Sequence, residues 1–228
     1  MDPMNYRLTR AQLVDLVKRY KLESTTRQNL IYPDELIIRH LEQAQVRVVR
    51  SLEHEVFKKT VEITLADDWQ TVMPDDLLQD LVAWWKVGTT WKSLQITNAN
   101  ALDEAEADWR DKSGQPKGLV IIHEWDPATE RFNRILRVHP GDGGDLRLRY
   151  TMEPPPLTSD SSVPLVSQLV AGFDETLLPF GAMNTLPLAE GGAEDERAQM
   201  FGGLFLAELG QFRAALQSVY NPGVKHGR

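Results

Sequence analysis

Leu146, Leu148 and Tyr150 alternate with Arg147 and Arg149, a period of two that sends one set to each face of a strand. Leu119-Val120-Ile121-Ile122 is a short apolar run rich in β-branched residues, and Phe132 to Val138 reads as another strand. Asp126-Pro127-Ala128-Thr129 and Gly141-Asp142-Gly143-Gly144 supply the turns between them. Pro154-Pro155-Pro156 ends the run, because proline has no N–H to give a ladder. Upstream, Val61, Ile63 and Leu65 alternate with Thr60, Glu62 and Thr64 as a half-buried strand. Leu81 to Val87 and Thr90 to Ile96 pair as a hairpin across Gly88, with helix a competing reading for Asp76 to Lys86.

Towards both ends the apolar period lengthens to that of a helix. Thr9 and Gln12 have the spacing of a capping box, and Leu13, Leu16, Val17 and Tyr20 follow on one face, so a first helix is expected over Arg10 to Leu22. Pro33, Asp34 and Glu35 suit the start of a second, whose stripe of Ile37, Leu41, Ala44, Val48, Leu52 and Val56 runs to Phe57. Asn98 caps a short acidic helix to about Arg110 that turns Leu102, Ala105 and Trp109 inward. After a Ser/Asp/Pro linker, a helix is expected from near Asp174, with Pro179 in its first turns, and Glu190-Gly191-Gly192 closes it. Glu194, Asp195 and Glu196 open a last helix, whose wide apolar face runs from Phe201 to Val219 and stops at Asn221-Pro222-Gly223.

The fold class this pattern predicts is α+β. A helical bundle of about four helices is assembled from both termini, residues 1–58 and 159–228, and residues 59–158 are inserted as an antiparallel β-rich module. The reason is that a helical stripe must be buried against something, and the first helix pair alone leaves much of its face open.

Composition narrows the function classes. A formal charge of −8 over 228 residues argues against a general nucleic-acid binder. No apolar run approaches the roughly 20 residues that span a bilayer, so no membrane association is expected. Met1 to Arg10 lacks the apolar core of a signal peptide, so a soluble protein made in a cytoplasm is expected. With no cysteine there is neither a thiolate metal site nor a cysteine nucleophile.

Candidate chemistry is sparse, and no catalytic residue, cofactor or metal site is assigned. Asp67, Asp68, Asp75 and Asp76 are paired carboxylates of the kind that hold divalent cations in hydrolases, but each pair flanks a turn or helix start, where aspartate caps backbone donors. His40, His54, His123, His139 and His226 share no metal-ligand spacing. Ser159, Ser161 and Ser162 lie in linker sequence without a nucleophile elbow. The glycine-rich turn at Gly141 has no following helix or Lys-Ser/Thr to make it a phosphate loop. Trp84, Trp85 and Trp91 serve either core packing or stacking on bases or sugars, so a carbohydrate- or nucleic-acid-binding β module on a helical scaffold is the alternative reading.

The succession Val72-Met73-Pro74-Asp75-Asp76-Leu77-Leu78, then Trp109 and Gly114-Gln115-Pro116, then Leu146-Arg147-Leu148-Arg149-Tyr150, the proline break and Glu194-Asp195-Glu196-Arg197 resembles the head-to-tail connector, or adaptor, proteins of tailed bacteriophages. The resemblance covers about Tyr32 to Val219; Pro179 and Pro187 depart from it, inside a region expected to be helical. It implies a structural virion protein of the head–tail neck, without an active site. Its partners would be the portal protein, tail or nozzle proteins and further copies of the chain in a homo-oligomeric ring, a dodecamer by resemblance, whose acidic channel passes DNA at packaging and ejection without binding it tightly. It also implies a terminus that reaches clefts between portal subunits, which makes Leu216, Val219, Tyr220, Asn221, Pro222, Val224, Lys225 and Arg228 the candidate portal-binding residues. Lys225 and Arg228 place positive charge at the end of an acidic chain, suited to acidic clefts. The bland reading of the same segment is a frayed tail.

Overall fold

The computed structural model describes residues 7–23, 32–66, 69–106, 108–127, 130–189 and 196–220. These form two compact units, one built from residues 57–153 and the other from 1–56 together with 154–228.

In the central unit seven strands make one sheet: β1 (Lys58–Leu65), β2 (Gln70–Val72), β3 (Leu77–Val87), β4 (Thr90–Asn98), β5 (Gly118–Asp126), β6 (Arg131–His139) and β7 (Gly144–Met152), in the order β1-β7-β3-β4-β5-β6-β2. The edge strands β1 and β2 are consecutive in the chain. Laid flat, seven strands at about 4.8 Å spacing are about 29 Å wide, whereas five Cα steps, the distance from Leu65 to Gln70, reach about 18 Å at most. The sheet therefore curls into a nearly closed, barrel-like form. Its interior holds Leu65, Met73, Leu77, Ala83, Trp85, Leu94, Leu119, Leu136, Val138, Leu146, Leu148 and Tyr150. The alternation in β7 is kept: Leu146, Leu148 and Tyr150 are fully buried while Arg147 and Arg149 face outward beside Trp84 and Val82 of β3. Of the two readings for Asp76 to Lys86, the strand holds, and β3 pairs with β4 across Gly88.

Helix α3 (Ala99–Ala105) begins where Asn98 Oδ1 accepts the Ala101 N–H at 2.8 Å. It is shorter than expected and buries none of its residues. Trp109, expected on its inner face, lies beyond its end and is buried all the same, its indole N–H bonded to Asp103 Oδ1 at 2.7 Å. The segment 99–117 is a crossover, and β4 and β5 run parallel as such a connection allows.

In the other unit are α1 (Arg10–Glu23), α2 (Asp34–Leu52), α4 (Leu165–Leu169), α5 (Leu177–Ala189) and α6 (Glu196–Tyr220). The capping box is formed: Thr9 N–H donates to Gln12 Oε1 at 2.9 Å, and Gln12 N–H reaches Thr9 Oγ1 at 3.5 Å. Helix α2 stops at Glu53, whose left-handed backbone turns the chain before Val56 and Phe57 extend the stripe. Its buried face comprises Ile37, His40, Leu41, Ala44, Gln45, Val48 and Val49. α5 is apolar nearly all round, with Leu177, Leu178, Ala182, Met183 and Leu186 buried, as befits a helix enclosed by its neighbours. It contacts α1, α2 and α6. Gly181 makes this possible: a Cβ there would lie 2.7 Å from Ala44 Cβ and 3.0 Å from the Phe205 ring. Arg47 ties the same three helices together, donating to Asn184 Oδ1 on α5 at 3.0 Å and lying 4.5 Å over the Phe205 ring of α6.

The expected helical bundle of about four helices with an inserted antiparallel module does not hold. Among the described residues there are six helices, one of them in the unit of the sheet, and α1, α2 and α6 of the second unit pack on α5. The sheet is mixed rather than antiparallel, and its curled seven-strand form organises its own unit. The physical reasons are the all-round apolar character of α5, which calls for a central place, and the α3 crossover, which reverses the sense of β5. The helix expected from near Asp174 is α5, which begins at Leu177 with Pro179 in its first turn and Pro187 inside it, and a separate short helix, α4, precedes it. Its expected stop at Glu190-Gly191-Gly192 lies outside the described residues.

Asp76 anchors the sheet. Its carboxylate accepts the buried Tyr150 hydroxyl at 2.7 Å and Lys59 Nζ at 2.7 Å, joining β7, β1 and the turn before β3. Burial pushes the Asp76 carboxyl up, but the bonds from Lys59 and Tyr150 together outweigh it and hold the group below its ordinary 3.8. Asp76→Ala leaves a buried hydroxyl without an acceptor and is expected to cost about 1–3 kcal/mol, whereas Tyr150→Phe removes the donor too and should cost about 0.5–1.5 kcal/mol. Urea unfolding of the two variants measures the asymmetry. A carboxylate whose folded pKa is depressed contributes stability that is complete above its unfolded value and lost as pH falls through the folded one. The gap between wild type and Asp76→Ala should therefore be full at neutral pH and shrink below about pH 4.

Candidate docking surfaces

Most of the described polar groups singled out from sequence take part in structural contacts, while Asp75 and His123 are exposed. Asp76 is the sheet anchor, and Asp67 and Asp68 lie outside the described residues. His40 packs between α2 and α5 with Nδ1 2.7 Å from Thr185 Oγ1, and burial, aided by Arg39, holds its pKa down. His54 Nδ1 accepts the Val56 N–H. His139 Nε2 stands 3.3 Å from Glu106 and meets the Trp109 ring edge-on. His123 is exposed, and His226 lies outside the described residues. Ser159, Ser161 and Ser162 hydrogen-bond one another in the linker. Among the described residues no three His, Asp or Glu side chains stand close enough to share a metal ion. The glycine turn between β6 and β7 carries backbone bonds instead: Gly141 N–H donates to Lys112 C=O, and Gly141 C=O accepts Gly114 N–H.

The tryptophans divide by face. Trp85 fills the sheet interior, whereas Trp84 and Trp91 are half-buried on the outer face. The Arg147 guanidinium lies 4.0 Å over the Trp91 ring and is held there by Glu62. That ring face, which a base or sugar would need, is occupied by the protein itself.

What the surface does offer is apolar area for protein contact. α6 is 25 residues, about 37 Å long. Ala198, Phe201, Phe205, Leu209, Phe212 and Leu216 form its buried face. The opposite side exposes Met200, Leu204 and Leu206, the last at 65%, and Gly203, Ala207, Gly210 and Ala214 leave the backbone between them uncovered. No Asp, Glu, Lys or Arg interrupts these outer positions from Met200 to Ala207.

Of the candidate portal-binding residues, Leu216 is 1% exposed and belongs to the core face of α6. Val219 and Tyr220 are 56% and 43% exposed on the last turn. Tyr220 packs edge-on against His54, and Arg213 donates to Ser51 C=O, so this end of α6 is fixed to the end of α2. Asn221, Pro222, Val224, Lys225 and Arg228 lie outside the described residues.

Sequence reasoning missed the tip of the β5–β6 hairpin. Trp125 and Phe132 are direct cross-strand partners, 53% and 66% exposed, with ring centroids 5.0 Å apart at 65°. The available signal was their alternation with the polar residues Glu124, Asp126, Arg131 and Asn133, which places both rings on one face once the hairpin register is set.

No helix among the described residues is long and apolar enough to cross a membrane. No curated protein matches the chain. The family model of the SU10 adaptor protein, however, matches residues 4–226, almost the whole length, in keeping with the resemblance to bacteriophage connectors. The chain therefore belongs to the SU10 adaptor protein family, structural components of the phage virion that associate with portal and tail.

Proposed function

We propose that the protein is a head-to-tail adaptor whose copies form a ring beneath the portal, join it to the tail and leave a channel through which DNA passes without being gripped. The observation that carries this reading is the outer side of α6. It is apolar and uncharged over two turns in a chain of net charge −8, and copies that repel one another through their charge need an uncharged zone at which to meet. A heterologous contact through such a zone closes into a ring when its rotation closes, and a dodecamer is the order in keeping with the family. The segment after Tyr220 is the portal-docking terminus in this reading: the fixed end of α6 presents Val219 and Tyr220, and Lys225 and Arg228 supply positive charge.

Mass photometry of the purified chain, alone and with portal, tests the assembly. Leu206→Glu puts a charge on the outer side of α6 without entering the core. It should leave subunit stability within about 0.5 kcal/mol while shifting ring to monomer at micromolar concentration. A ring of unchanged mass in this variant moves the contact elsewhere. Truncation after Tyr220 should keep the ring and the melting temperature but weaken portal association at least tenfold; unchanged affinity leaves the tail without a docking role. The assembled ring should show no affinity for duplex DNA even at low salt, where attraction to phosphate is strongest. A salt-sensitive complex of defined site size would contradict a passive channel.

A further inference from the structure

Resting on the adaptor reading, we infer that the outer end of the β5–β6 ladder is a docking knob for the tail-side protein partner, inserting Trp125 and Phe132 into an apolar pocket edged by carboxylates. The ladder of this hairpin runs from Gly118↔His139 to Asp126↔Arg131. On one side β4 accompanies β5 no further than Ile121. On the other, β2 accompanies β6 only over Ile135–Arg137, with one more bond from Met73 N–H to Arg134 C=O. Beyond those points the described chain supplies no third strand, and the ribbon continues as two strands alone. Such a ribbon is marginal in water and gains stability from whatever packs on it.

The side chains at its end are those of an anchor. Of the six tryptophans, Trp125 alone is exposed; the others are buried or half-buried. It is stacked edge-on against Phe132, so the pair presents one preformed convex unit with little rotamer freedom left to lose on binding. The register puts His123 and Arg134 on the same face one pair further in, while Glu124, Asp126, Arg131 and Asn133 fall on the opposite face. Over these two pairs the aromatic face carries a guanidinium and no carboxylate, in a chain with 33 acidic against 25 basic residues, and Glu130 lies in the turn beyond. Aromatic side chains with an adjacent arginine are the composition of interface hot spots, and the charge selects a partner with acidic groups round its pocket. An adaptor must also hold two different neighbours. With the terminus assigned to the portal, this knob is the surface left for the other.

The test uses portal–adaptor particles mixed with purified tails of the same phage. With the photoreactive residue benzoylphenylalanine in place of Phe132, illumination of the joined particle should give a cross-link to a tail protein, and peptide mapping should place it beside Asp or Glu. The double variant Trp125→Ala, Phe132→Ala should keep its circular dichroism and its place on the portal but lose tail attachment at least tenfold. Arg134→Glu should weaken attachment, and Arg134→Lys should restore most of it. Cross-links only to DNA, to the portal or to a second copy of the chain overturn the proposal, as does normal tail attachment by the double variant. Failure of the wild-type chain to bind portal particles is a different result: it overturns the adaptor reading and the proposal resting on it.

Discussion

The β-rich unit depends on the link between its edge strands. Residues 66–69 separate β1 from β2, the two edges of a seven-stranded sheet, and so short a link is compatible only with a sheet bent back on itself. The rest follows from that bend. Trp69, in the link, adopts a left-handed backbone, donates its N–H to Ala66 C=O and accepts Val138 N–H through its own carbonyl, which holds the link against β6. Its ring lies against Gly141, where a Cβ would come within 1.7 Å of the indole, so the turn after β6 closes only with glycine there. The Arg137 guanidinium lies near both Trp69 and Trp109, and the outer wall is thereby braced with cation–aromatic contacts.

The curled sheet still contains an irregularity in its longest strand. Opposite Tyr150 the register of β3 shifts between Gln79 and Val82, and Asp80 takes a positive φ. That conformation is unfavourable for a residue with a side chain, and Asp80 offsets it by accepting a hydrogen bond from the buried Thr151 hydroxyl at 2.9 Å. The bulge sits beside the Asp76–Tyr150 bond, so the segment from Asp76 to Asp80 is fixed by two carboxylates reaching the same strand, β7. Asp76, one of the four aspartates that look like metal ligands in the sequence, is used here together with Asp80 to fix and bend a strand.

Sequence pattern carried the local structure well where one period ran uninterrupted. Alternation located β1 and β7, a β-branched apolar run bounded by turns located β5, and the Thr9–Gln12 box located the start of α1. It failed where the determinant was a partner rather than a period. Nothing in the apolar pattern of β4 or β5 says that they run parallel; that is set by the α3 crossover, whose length depends on where the chain turns after Ala105. The central place of α5 was hidden for a related reason. A helix apolar on all sides has no single stripe, so its pattern does not point to one neighbour, and only the packing of α1, α2 and α6 around it reveals its central place. At the candidate surfaces, Leu216, Val219 and Tyr220 form one short stretch of sequence, yet the first is core and the other two are surface. The Trp125–Phe132 pair was hidden because each looks like an ordinary strand residue until the register sets them opposite each other and the neighbouring strands stop short.

These contrasts bear on how an adaptor is built. In each unit, burial is concentrated on one set of positions and exposed apolar area is left on another: α6 buries Phe201, Phe205 and Phe212 while exposing Met200, Leu204 and Leu206, and the β5–β6 hairpin buries Leu119 and Leu136 while exposing Trp125 and Phe132. Because the two functions fall on different residues of the same element, the element remains folded before any partner arrives. A surface preformed in this way loses less entropy on association than a segment that must order as it binds. The buried positions of the closed sheet and of the helices round α5 hold the exposed ones in place.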